Sequence, residues 1–171
     1  MTRLVARYRV ALGFLSAIAV LLLAAPTKRS IVYGLPVAVL GELIRVWAAG
    51  HLNKSREVTR SGPYQFVPHP LYLGSSLIGI GLAIGSGSLA VVVIVAVYLL
   101  VTLTAAIRSE EAFLREKFGD AYDEFRRARV VDGERQFSWR QAMANREYRA
   151  VAGLLAALLL LVLKATYNGM F

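Results

Sequence analysis

The chain has 171 residues, of which 57% are hydrophobic, with a mean hydropathy of +0.54 and a net charge of +9. That is more apolar than the ~45–50% of a soluble domain, and one domain of this length has too little interior to hide the excess from water. There is no cysteine, which excludes disulfides, thiolate metal ligands and cysteine nucleophiles, and two histidines without HExxH spacing give no metal site.

The first apolar run, Val10 to Ala25, follows Arg3, Arg7 and Arg9 and resembles a secretory signal. Leu23, Ala25 and Pro26 make a poor small-x-small cleavage site, so a retained first span is expected. The second run, Ile31 to Ala49, is long enough to cross a bilayer yet carries Glu42 and Arg45. A polar connection from about residue 50 to 70 leads into a third run, Leu71 to Gly85. Gly85-Ser86-Gly87-Ser88 reads as a tight helical-hairpin turn before a fourth, charge-free run, Leu89 to Ile107. A charged stretch covers 108–149. Within it Leu114, Phe118, Tyr122 and Phe125 recur at helical spacing, Gly119 interrupts, and Asp120 is suited to cap a second short helix. This amphipathic segment either lies on lipid headgroups or folds back as a lid over 50–70. The last run, Ala150 to Leu163, is short for a crossing unless Tyr148 and Tyr167 occupy the two interfaces.

The expected architecture is therefore all-α and polytopic, with about five transmembrane helices and a cytoplasmic amphipathic segment, in one domain spanning 1–171. Its C-terminal extra helix covers about 148–167. With the N-terminus in the cytoplasm, 17 of the 20 Lys and Arg fall inside, and only Lys28, Arg29 and Lys164 fall outside. This is the positive-inside pattern of an integral protein, with a prokaryotic inner membrane as the expected location. The same segregation explains the net charge better than nucleic-acid binding does.

Glu42 and Arg45, three positions apart, share a helix face, and ionised groups within a span mark a functional site by default. A helix-bundle ion pair between them is the structural alternative, as is snorkelling of Arg45 to the headgroups. The densest signal is Ser61-Gly62-Pro63-Tyr64-Gln65-Phe66-Val67-Pro68-His69-Pro70-Leu71-Tyr72-Leu73-Gly74. Its three prolines make a rigid non-helical lead into the third span, with His69 pinned between two of them. Tyr64 and Tyr72 offer aromatic surface with polar tips, suited to a membrane interface or to stacking on a flat ring. Gly79-Ile80-Gly81 lies inside a span with no preceding strand, and Gly81 with Gly85 forms a GxxxG spacing, so close helix packing is the preferred reading.

GPYQFVPHPLYLG, followed by Glu110-Glu111 and Phe118-Gly119-Asp120-Ala121-Tyr122, with Leu43-Ile44-Arg45-Val46-Trp47-Ala48 upstream, resembles the isoprenylcysteine carboxyl methyltransferase family. That family is similar in turn to the phospholipid N-methyltransferases. The resemblance covers about 42–127. It implies methyl transfer from S-adenosylmethionine to a lipid-borne acceptor at the membrane surface. It also implies a cofactor pocket containing His69, Pro70, Tyr72 and Leu73, and an acceptor-orienting role for Arg45. The chemistry of the cofactor fits: Glu110 and Glu111 are suited to its ammonium and a ribose hydroxyl, His69 to its polar end, and Tyr64 and Leu73 to its purine. Arg45 favours a carboxylate acceptor and would repel a protonated amine, with Glu42 as the second catalytic candidate. Two positions depart from the family pattern. Pro68 stands where an arginine is usual, and Ser75 where several relatives have an acid, so this chain must use Glu42 in its place or do without. The competing readings are an NADPH-dependent membrane sterol-type reductase, similar around the His-Pro-x-Tyr segment, and a non-catalytic membrane scaffold.

Overall fold

The computed structural model describes residues 15–53, 59–119 and 136–169, all of them helical or irregular with no strand among them. Helical residues 15–23 form α1. Then follow α2 (Lys28–His51), a short 3₁₀ turn (Gly62–Gln65), α3 (Pro70–Gly85), α4 (Leu89–Phe118), α5 (Trp139–Ala144) and α6 (Tyr148–Tyr167). Arg3, Arg7, Arg9, Asp120, Tyr122 and Phe125 lie outside the described residues, as does the segment expected to form the second short amphipathic helix.

Local chemistry sets the helix limits. Thr27 accepts a hydrogen bond from the Ser30 amide, and the Ser30 hydroxyl accepts one from the Thr27 amide, a reciprocal capping box that starts α2. Pro70 occupies the first turn of α3, where its missing N–H costs nothing, and Gly119 ends α4 at a φ of 50°. The helix does not end with the charge-free run at Ile107: α4 continues through Glu110 and Glu111 to Phe118. Arg, Glu, Ala, Leu and Lys are all good helix formers, and the polarity change at Arg108 does not interrupt them. At 30 residues α4 is about 45 Å long, against a hydrocarbon core of about 30 Å, so its charged end projects beyond the lipid tails.

Among the described residues three helices, α2, α4 and α6, are long and apolar enough to cross a membrane. The sixteen residues of α3 are fewer, about 24 Å of rise, and α1 is described only from residue 15, so this part of the five-span expectation is not matched by full-length helices. The last helix gains its length because it begins at Tyr148 and ends at Tyr167, the two tyrosines expected at its interfaces. Large apolar side chains on α4 and α6 stay exposed, Leu89, Leu100, Leu155 and Leu163 among them, which is a lipid-facing surface.

The main packing contact is between α2 and α3. A methyl group added at Gly81 would collide with Ala38, and one at Gly41 or Gly74 would enter the backbone of the facing helix. Glycine is required here because the backbones touch, as the packing reading expects at Gly81; a side chain at Gly85 would meet only the tip of Leu161 on α6. Gly79 faces α4 instead, toward Leu99.

The bundle has two distinct ends. At one, the Ala25 amide donates to Ser86 O (2.8 Å), Ser30 Oγ donates to Gly85 O (3.0 Å) and Lys164 Nζ donates to the carbonyls of Leu21 and Leu22. At the other, α5 closes the C-terminus of α2. Ser138 N donates to Gly50 O (3.2 Å), Gln141 Nε2 to Leu52 O (2.7 Å), and Asn145 Nδ2 to Ala49 O and Leu52 O (both 2.8 Å). These bonds satisfy carbonyls that a helix end leaves without intrahelical partners.

Candidate functional site

The site forms at the end closed by α5. Gly62 takes a φ of 58° and lies against the His51 ring, where any side chain would clash. The turn after it buries Tyr64 beneath the C-terminal part of α2. His69 is the N-cap of α3, but its side chain makes no capping bond and turns toward α4. Its Nδ1 lies 3.7 Å from Glu110 Oε2 and its Nε2 3.5 Å from Glu111 Oε1. The Tyr72 ring lies 5.6 Å from the His69 ring, centroid to centroid, and its hydroxyl faces Glu110. Leu73 remains exposed on the next position of α3, while Pro70 is fully buried. The structure therefore brings His69, Tyr72, Glu110 and Glu111 together, across about forty residues of sequence.

A second cluster adjoins the first. Arg45 Nε donates to Glu147 Oε1 at 2.7 Å and Nη2 to Glu147 Oε2 at 3.2 Å. Nη1 donates to Ser75 Oγ and, at 3.5 Å, toward Leu71 O. The two-point grip expected of Arg45 is thus made to Glu147, and its salt bridge among the described residues is with that residue rather than with Glu42. Ser75 contributes a hydroxyl to Arg45, and the acid beside the guanidinium comes from the head of α6 instead.

Glu42 is different. It is 8% exposed, and among the described residues its two carboxylate oxygens and the Tyr64 hydroxyl are the buried side-chain atoms without a hydrogen-bond partner. Orphaned buried oxygens are costly and call for a ligand, water or proton to meet them. Tyr64 lies within electrostatic range of Glu110 and Tyr72 on one side and of Glu147 and Arg45 on the other, between the two clusters. Desolvation by burial, with the nearby carboxylates, pushes the Tyr64 phenol above its ordinary value and keeps it a neutral donor.

Sequence reasoning missed Glu147. A signal existed, since it is an acid between Arg146 and Tyr148 at the start of an apolar run, but such a residue ordinarily reads as headgroup-facing. Its burial and its partner 102 positions upstream depend on the tertiary fold.

Among the described residues the structure is helical, with three apolar helices of membrane-spanning length and a polar site at one end of the bundle, the makings of an integral membrane protein. Residues 31–121 match the phospholipid methyltransferase family, and the chain belongs to that family, to which the isoprenylcysteine carboxyl methyltransferases are related. The family indicates a membrane methyltransferase acting on lipids. No curated protein and no solved structure matches the chain. Every residue of the site except Glu147 falls within the matched segment.

Proposed function

We propose that the chain is an S-adenosylmethionine-dependent methyltransferase that methylates an amine-bearing lipid headgroup at the cytoplasmic membrane face. The observation that carries this reading is Glu42, a buried carboxylate with both oxygens unengaged, beside an Arg45 already neutralised by Glu147. Without a free Arg45 fork, the ground for a carboxylate acceptor is removed, and so is the repulsion that disfavoured an amine.

The residue chemistry fits the cofactor. Glu110 and Glu111 offer carboxylates to its ammonium and ribose hydroxyl, His69 and the neutral Tyr64 hydroxyl offer polar contacts, and Tyr72, Leu73 and Pro70 supply the apolar wall. When bound, S-adenosylmethionine supplies an electrophilic methyl group on a sulfonium. Glu42 accepts the proton of the acceptor's ammonium, exposing the nitrogen lone pair that attacks. The whole of 1–171 serves as one domain of about five spans, with its motif core over about 42–127. The charge split between the bundle ends supports a cytoplasmic N-terminus in a prokaryotic inner membrane.

The test is calorimetry of the detergent-solubilised protein with S-adenosylhomocysteine and with NADPH, followed by labelled cofactor on a panel of aminophospholipids, fatty acids and prenylated cysteines. His69→Ala and Glu111→Gln are each expected to weaken S-adenosylhomocysteine by about 1–3 kcal/mol, the cost of losing a partner to a charged or buried polar group. Label in a base-labile methyl ester, or binding of NADPH alone, would overturn the reading.

A further inference from the structure

We propose that Glu147 is a positioning residue that holds the Arg45 guanidinium away from Glu42 and so keeps the Glu42 carboxylate free to receive the acceptor's proton. The inference rests on the reading of Glu42 given above. It concerns a residue outside the 31–121 segment that matches the family.

Glu42 and Arg45 are three positions apart on one helix, spacing that ordinarily lets an acid and a base meet. In the structure they do not pair, although Glu42 lies within electrostatic range of both Arg45 and Glu147. Arg45 is drawn off by competing partners: two parallel bonds to Glu147, one to Ser75 Oγ and one toward Leu71 O. Four of its five donors are engaged, and the planar fork is fixed in orientation.

The delivery of Glu147 is itself built. Asn145 is anchored to the last carbonyls of α2, and Arg146, the next residue, is the non-glycine position among the described residues with a positive φ, 61°. An arginine held in the left-handed region is unfavourable by about 1 kcal/mol and persists where its surroundings over-determine it. Here the turn joins α5 to α6, and its final residue is 6% exposed and meets Arg45 of α2. A simple interfacial acid would need none of this.

Neutralising Glu147 should release Arg45 to the carboxylate that shares its helix face, Glu42, and quench it. Glu147→Gln preserves size and is expected to lower kcat about ten- to a thousand-fold, the range for a misplaced reacting group. S-adenosylhomocysteine affinity, read by calorimetry, should stay within about three-fold, because the His69–Glu110–Glu111 cluster is untouched. Ser75→Asp, which sets a carboxylate where Arg45 Nη1 already donates, should restore the Glu147→Gln enzyme to within about ten-fold of wild type.

The unfolding of the protein without cofactor gives a second readout that needs no turnover. Glu42→Gln should not lower the unfolding midpoint of the wild type, where Glu42 has no partner, but should lower that of the Glu147→Gln protein, where it has become the partner of Arg45. Equal effects of Glu42→Gln in both backgrounds would overturn the proposal. So would a Glu147→Gln enzyme within about two-fold of wild type, or a folded double variant that Ser75→Asp fails to rescue. Failure of the wild type to bind S-adenosylhomocysteine would instead refute the functional reading, and the unfolding comparison would still decide this one.

Discussion

Replacing Arg45 by leucine tests the central contact of the site. The guanidinium side chain is 20% exposed and the Glu147 side chain 7%, so the pair is well shielded and solvent screening takes little from it. Removing the cation leaves the Glu147 carboxylate buried, and breaking a buried pair in this way costs about 3–5 kcal/mol. Replacing both partners by leucine removes the stranded charge as well as the bond, and such swaps are often close to neutral. The expected pattern is therefore a large loss in Arg45→Leu and a recovery of at least about 2 kcal/mol when Glu147→Leu is added. Equilibrium unfolding in mixed micelles, followed by helical circular dichroism, measures all three variants. The informative control is Arg45→Leu with Glu42→Leu, since a Glu42–Arg45 pair would put the rescue there. Rescue by Glu42→Leu and not by Glu147→Leu would refute the geometry described, as would a loss of under about 1 kcal/mol for Arg45→Leu alone.

Glycine substitutions should separate backbone contact from side-chain contact. Gly81→Ala is expected to destabilise the fold by about 1–3 kcal/mol because it must push apart α2 and α3, whereas Gly79→Ala meets the movable tip of Leu99 and should cost far less. Equal losses on unfolding would show that the two helices do not touch as described. For Tyr64, a folded-state value raised above the unfolded one means that its contribution to stability is complete below about pH 10 and declines as pH rises beyond it. Tyr64→Phe should therefore flatten the alkaline limb of a plot of unfolding midpoint against pH, and an unchanged limb would place the phenol in water. Orientation is read with protease added outside sealed vesicles: a tag at the N-terminus should be protected and one at Gly87 cleaved, the reverse result inverting the proposed face.

The parts of the fold written locally were legible. Pro70 at the start of α3 and Gly119 at the end of α4 act through neighbouring residues, so sequence alone locates them, whereas the Thr27–Ser30 capping box starts α2 ahead of the apolar run that begins at Ile31. The meeting of His69 with Glu110 and Glu111 was also foreseeable, through the family resemblance rather than through any periodicity. The length of α4 was harder to read because hydropathy changes at Arg108 while helix propensity does not. Arg45 was the least legible. Glu42 is its neighbour by spacing, and only the path of the chain through α5 shows that a carboxylate from a different helix reaches it first.

The distance along the chain between Arg45 and Glu147 also has a consequence for biosynthesis. The two are 102 residues apart, so at about 5–20 residues per second the ribosome emits the carboxylate roughly 5–20 s after the cation. For that interval α2 is already made and carries an arginine without its final partner, a state in which headgroup phosphates are the available counter-ions. Insertion of α2 and completion of the site are therefore separate events, the second waiting on the last helix. A nascent chain arrested before residue 147 would show membrane quality-control machinery an unmatched charge within a span, and that mismatch ends when α6 docks.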